Sequence, residues 1–199
     1  NTAIKPARTT EGLQSGRYYD TFRDRIMFPI FDLAGRVIAF SGRAITESDK
    51  SPKYLNSPET ELFKKSETLY GFNFAKNNLR KMDYAILVEG QFDIIMAHQA
   101  GSQNALASSG TALSEKHLEK IGKMTKRIVI AYDSDQAGRS AAKRAGEMAL
   151  GLGMEVKVVN LPEGEDPASV AANSAEGWKE ALKSSTDLVT FAANEAVRR

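Results

Sequence analysis

A chain of 199 residues, 42% apolar and 26% charged, has the balance of a soluble globular protein and can bury a core as one large domain or two small ones. Its longest apolar runs are about five residues, which excludes a membrane-spanning helix, and nothing in the opening stretch reads as a signal peptide. The lack of Cys excludes disulfides and Cys-ligated zinc or iron–sulfur centres in this segment and suits a cytosolic protein; with His98 and His117 the only imidazoles, any metal must have oxygen ligands.

The net charge of +2 divides unevenly. Residues 1–80 carry +4 and residues 84–199 carry −2, a weak pointer to a polyanionic partner for the front half, against plain scatter of solvated charge. The polar opening "NTAIKPARTTEG", without an initial Met, reads as a piece of a longer protein.

In chain order, the first eighty residues read as short strands and turns. Apolar runs at 26–31 and 37–40, joined by "DLAGR", predict a hairpin with Gly35 at positive φ. "SDKSPKYLNSPET" reads as a turn-rich loop, and "TLYGFNFAKNNLRK" as a helix leading to a boundary near residues 81–83. Alternation then begins. Strands are expected at 84–88, 104–108, 127–132 and 155–161. Helices are expected at 92–101, at 114–124 with Ser114 as N-cap, and at 136–153. Two more helices, near 175–184 and 186–198, close the chain. Strands this apolar, separated by helices, imply a parallel sheet covered on both faces.

Ligands of open parallel sheets bind beyond the carboxyl ends of the strands. Three acid clusters are expected there: Glu89 with Asp93, Asp133 with Asp135, and "LPEGEDP" with Glu163, Glu165 and Asp166. Taken singly each has a plain reading, Asp133 as a turn residue, Asp135 as a helix N-cap, "EGED" as a solvated loop. Their convergence on one sheet edge favours a shared site. Clustered carboxylates raise each other's pKa unless a cation compensates, and Mg²⁺ or Mn²⁺ is the consistent guess for oxygen ligands near phosphates.

Glu89-Gly90-x-x-Asp93 on a strand–turn–helix, followed by Asp133-x-Asp135, resembles a toprim domain. The front half narrows this further. Residues 22–30, "GRVIAFSGR", "PKYLNSPET" and "LYGF", with "SSGTALSEKH" and "YDSDQAGRSAAKRA" later on, resemble the catalytic core of bacterial DnaG-type primases over roughly residues 18–170. The resemblance implies an α/β toprim fold, at 83–170. A mixed, basic α/β subdomain at 1–82 would precede it and a truncated helical segment at 171–199 would follow.

It also implies an enzyme that makes short RNA primers from NTPs on single-stranded DNA, in the bacterial cytoplasm at the replisome. The replicative helicase would be met through a domain outside this chain, with zinc likewise elsewhere and no membrane partner. Glu89 is the implied acid/base or metal-organising residue, Asp133 and Asp135 the metal ligands, Asp93 a supporting catalytic acid, and Asp166 the third-loop ligand. Arg43, Lys53, Tyr54, Asn56 and Lys65 are the implied nucleotide and template contacts. One departure stands out: the second acid usual two residues after Asp166 is Ala168 here. The resemblance leaves two other classes to weigh, toprim-based DNA cleavage and a catalytically silent nucleic-acid-binding module.

Overall fold

The computed structural model describes residues 20–46, 52–108 and 110–197. The expectations for residues 1–19 therefore lie outside the described residues. Two sheets organise the rest. The first is β1 (Arg25–Phe31), β2 (Val37–Ala44) and β3 (Tyr54–Asn56), antiparallel in the order β1-β2-β3. The expected hairpin is present, with Gly35 at φ 84°, and Asp32 Oδ1 accepts from the N–H groups of Ala34 and Arg36 to close it. β3 was expected to be loop. Its three residues carry no alternation signal of their own, and pairing with Ser41–Arg43 of β2 makes them a strand.

The second sheet has the order β5-β4-β6-β7-β8. Its strands are β4 (Ala85–Val88), β5 (Ala105–Ala107), β6 (Arg127–Ile130), β7 (Glu155–Val158) and β8 (Thr186–Asp187); β4 to β7 run parallel and β8 antiparallel. Both faces are covered, as the apolar strands require. On one face α1 (Phe72–Met82), α3 (Glu115–Gly122), α4 (Gln136–Gly151) and α7 (Leu188–Val197) pack on Leu87, Leu106, Ile128 and Ile130. On the other, α2 (Gln91–Gln99), α5 (Pro167–Asn173) and α6 (Ala175–Lys183) pack on Ile86, Val88, Ala105 and Ala107.

Two features differ from the sequence expectation. α1 packs its buried Phe72, Ala75 and Leu79 on the second sheet, so by packing it is part of that unit. The closing helices are integral as well: Trp178 of α6 is fully buried and its indole N–H donates to Ser102 Oγ at 2.8 Å. An antiparallel bridge between Tyr70 and Ala107 lays the incoming chain along the outer side of β5. No helix among the described residues is long and apolar enough to cross a membrane.

Candidate active site

Strand order fixes where a site can form. β4 has β5 on one side and β6 on the other, and the helices that follow β4 and β6 go to opposite faces. The crevice between the carboxyl ends of β4 and β6 is the topological switch point of the sheet. Glu89 directly follows β4, and Asp133 lies three residues past the end of β6. The two ends are tied together, because the Asp133 backbone N–H donates to Glu89 Oε1 at 3.3 Å.

A cavity of about 610 Å³ opens over this point, lined on one side by Glu89, Asp93, Asp133 and Asp166 and on the other by Arg43, Lys53, Tyr54 and Asn56. The acids come from the second sheet's strand ends and helix starts, the cations and Tyr54 from β2, β3 and the segment between them. Among the sequence-predicted residues, Lys65 and Asp135 do not line it. Lys65 is pinned beside α3, where its carbonyl accepts from His117 Nε2 at 2.8 Å. Asp135 is the N-cap of α4, its Oδ1 accepting from Gly138 N–H at 2.6 Å, and it acts on the cavity through its charge.

The carboxylates raise one another. Burial, then the charges of Glu89 and its neighbours, pushes Asp133 up to about 7. Burial does the same to Asp93, to about 6, although the Gly90 N–H donates to it at 2.8 Å and the nearby Ala168 amide also opposes the rise. Glu89 is raised by burial too, and the Asp133 N–H opposes this. Asp93, only 8% exposed, thus caps the start of α2 through Gly90 and lies beside the Ala168 amide at the start of α5. At the third loop, Asp166 caps α5 by accepting from Ser169 N–H at 2.6 Å and still faces the cavity. Neither nearby glutamate replaces the acid absent at Ala168: Glu163 lines a separate crevice, and the Glu165 carboxylate accepts from the Ser169 hydroxyl.

Two residues were missed as site builders. Arg25 donates to the carbonyls of Gly42, Pro52 and Lys53 at 3.0, 2.9 and 3.3 Å, and so holds the segment that carries Lys53. Phe92 lines the cavity beside Asp93, with the Arg43 guanidinium 4.6 Å from its ring centroid. An aromatic next to the acid loop was the available signal for Phe92; for Arg25 there was none, because its partners are backbone groups distant in sequence.

Comparison with known proteins gives the family. A family model described as the DNA primase catalytic core, N-terminal domain, matches residues 3–76, and a Toprim-like model matches residues 86–171. The chain belongs to the bacterial DnaG-type primase family. The DNA primase of Pseudomonas putida is 48% identical over 170 residues, 84% of this chain and 25% of that protein. Among solved structures, the zinc-binding and RNA polymerase domains of the Aquifex aeolicus primase superpose with a TM-score of 0.83 at 43% identity, covering 88% of this chain and 44% of that one. A DnaG primase catalytic domain bound to ssDNA gives 0.79 at 38% identity, covering 89% and 56%. The chain spans 25% to 30% of the length of the curated primases compared.

Proposed function

We propose that this chain is the nucleotidyl-transfer core of a bacterial primase, making short RNA primers from NTPs on single-stranded DNA in the cytoplasm. The observation that carries the reading is the cavity itself, where cations from the first sheet face carboxylates at the switch point of the second. Arg43 and Lys53 supply positive charge for phosphate oxygens without reading sequence, and Tyr54 and Asn56 flank them. A DnaG-family catalytic domain solved with ssDNA supports the choice of template. In the reaction a primer 3′-hydroxyl attacks the α-phosphate of an NTP, the new phosphodiester forms, and pyrophosphate leaves. The replicative helicase would be engaged by other parts of the full-length protein.

The donor set fits a hard divalent cation. It is all oxygen, and burial first, then the neighbouring carboxylates, raise Asp93 to about 6 and Asp133 to about 7, a rise that a bound cation would oppose. Among the described residues no three acidic, His or Cys side chains stand close enough to hold an ion alone. Mg²⁺ or Mn²⁺ suits such a site because it keeps waters and shares substrate phosphates. Glu89 and Asp133 are the central ligands in this reading, with Asp135 and Asp166, which commit Oδ1 to helix caps, as the outer pair. The bound ion would neutralise charge in the displacement and favour an ionised hydroxyl.

Primer synthesis on single-stranded DNA with labelled NTPs and Mg²⁺ or Mn²⁺ tests this directly. The wild type should yield short RNA, and Glu89→Gln and Asp133→Asn should each lose at least roughly 100-fold while unfolding cooperatively as before. Equal RNA yields from all three proteins, or nicked DNA in place of RNA, would overturn the reading.

A further inference from the structure

Arg43 reaches the cavity from near the end of β2, on a side chain with many rotamers and, among the described residues, no ion pair to fix it. Its guanidinium is held instead by rings. It lies 4.6 Å from the centroid of Phe92 and 5.8 Å from that of Tyr54. Phe92 is itself buttressed, because Phe28 of β1 meets it edge-on at 5.4 Å and 73°. Phe28 is buried, at 5% exposed. The result is a stack of Phe28, Phe92, Arg43 and Tyr54 that crosses from the first sheet to α2 and back.

A ring contact takes the flat face of a guanidinium and none of its in-plane N–H donors. Those donors stay directed in the plane, where a phosphate is gripped two oxygens at a time. A carboxylate partner would fix the side chain equally well, but it would occupy those donors and cancel the charge.

We propose that Phe92 is a positioning residue that orients Arg43 for the phosphate groups of nucleotide or template. The inference rests on the phosphate-binding part of the proposed function. It assigns no chemical step to Phe92, whose effect must pass through Arg43.

The test is a double-mutant cycle read by binding. Anisotropy titrations with a dye-labelled single-stranded oligothymidylate would compare wild type, Phe92→Leu, Phe92→Tyr, Arg43→Gln, and Phe92→Leu combined with Arg43→Gln, each checked by urea unfolding. Phe92→Leu should raise Kd about three- to tenfold, and Phe92→Tyr, which keeps the ring, should stay within about twofold of wild type. In the Arg43→Gln background, Phe92→Leu should change Kd by less than about twofold. If it costs the same factor in both backgrounds, Phe92 acts independently of Arg43 and the inference fails, with the function untouched. If Arg43→Gln alone leaves Kd unchanged, the phosphate-binding reading of Arg43 fails and takes the inference with it.

Discussion

Asp133 sits half-buried among Glu89, Asp93, Asp166 and Asp135, all of which raise its pKa once burial has done so. Folded, it keeps its proton up to about 7, whereas an unfolded Asp loses it near pH 4. Between those values the folded state binds more protons, so this residue's contribution to stability falls as pH rises through the window and is level above it. Asp93 adds the same trend up to about pH 6. Asp133→Asn should therefore melt higher than the wild type at pH 8 without divalent ions, by on the order of 1 kcal/mol, since solvent screens much of the repulsion. The advantage should vanish near pH 4, and millimolar Mg²⁺ should narrow it at pH 8. A calorimetric melt at the two pH values, with and without the ion, checks all three. The site thus trades stability for charge density, a pattern expected where function sets the residues.

At the scale of elements, α4 is pressed against the loop that carries Asp133. A Cβ on Gly138 would stand 2.3 Å from the Asp133 carbonyl oxygen, so the first turn of the helix can approach only because this position has no side chain. Gly138→Ala should cost about 1–3 kcal/mol in urea unfolding and impair primer synthesis by displacing Asp133. Gly151→Ala, at the far end of the same helix with nothing within 4 Å of its Cβ, should be neutral or slightly stabilising. Elements like α4 were legible in the sequence because they carry their own signals, a cap at Asp135, a long amphipathic run and flanking apolar strands. Ser114 was legible as a cap for the same reason, and its hydroxyl accepts from His117 N–H at 3.2 Å. β3, α5 and β8 were not: β3 and β8 are strands through pairing with β2 and β7, and α5 is a short helix without an apolar run of its own, set off by the Asp166 cap and Pro167. The same limit governs the site. Glu89 and Asp133 could be placed by strand ends alone, whereas the exclusion of Lys65 and the part of Phe92 depend on which segments meet in space.

For the whole molecule, the uneven charge of the sequence becomes a division of labour across one cavity, cations from the first sheet and acids from the second. The closing helices belong to the same body. Trp178, Leu188 and Phe191 lie beyond the Toprim-like match and are all at most 5% exposed, on both faces of the second sheet. A chain cut after residue 173 should lose cooperative unfolding and expose apolar surface to dye. A preserved sigmoidal urea transition in that truncation would show the helices to be dispensable. Trp178 is the only Trp, so its emission in the intact chain reports on this packing directly.

The bridge between Tyr70 and Ala107 has a further effect. β5 is an edge strand, and an edge strand with free N–H and C=O groups invites the next molecule to add to the sheet. Here the segment arriving from the first sheet meets that edge with two hydrogen bonds, of 2.8 and 3.2 Å. The opposite edge, β8, is only two residues long. The connection between the two units therefore also guards against aggregation, because the longer edge of the second sheet is already occupied by the chain's own backbone.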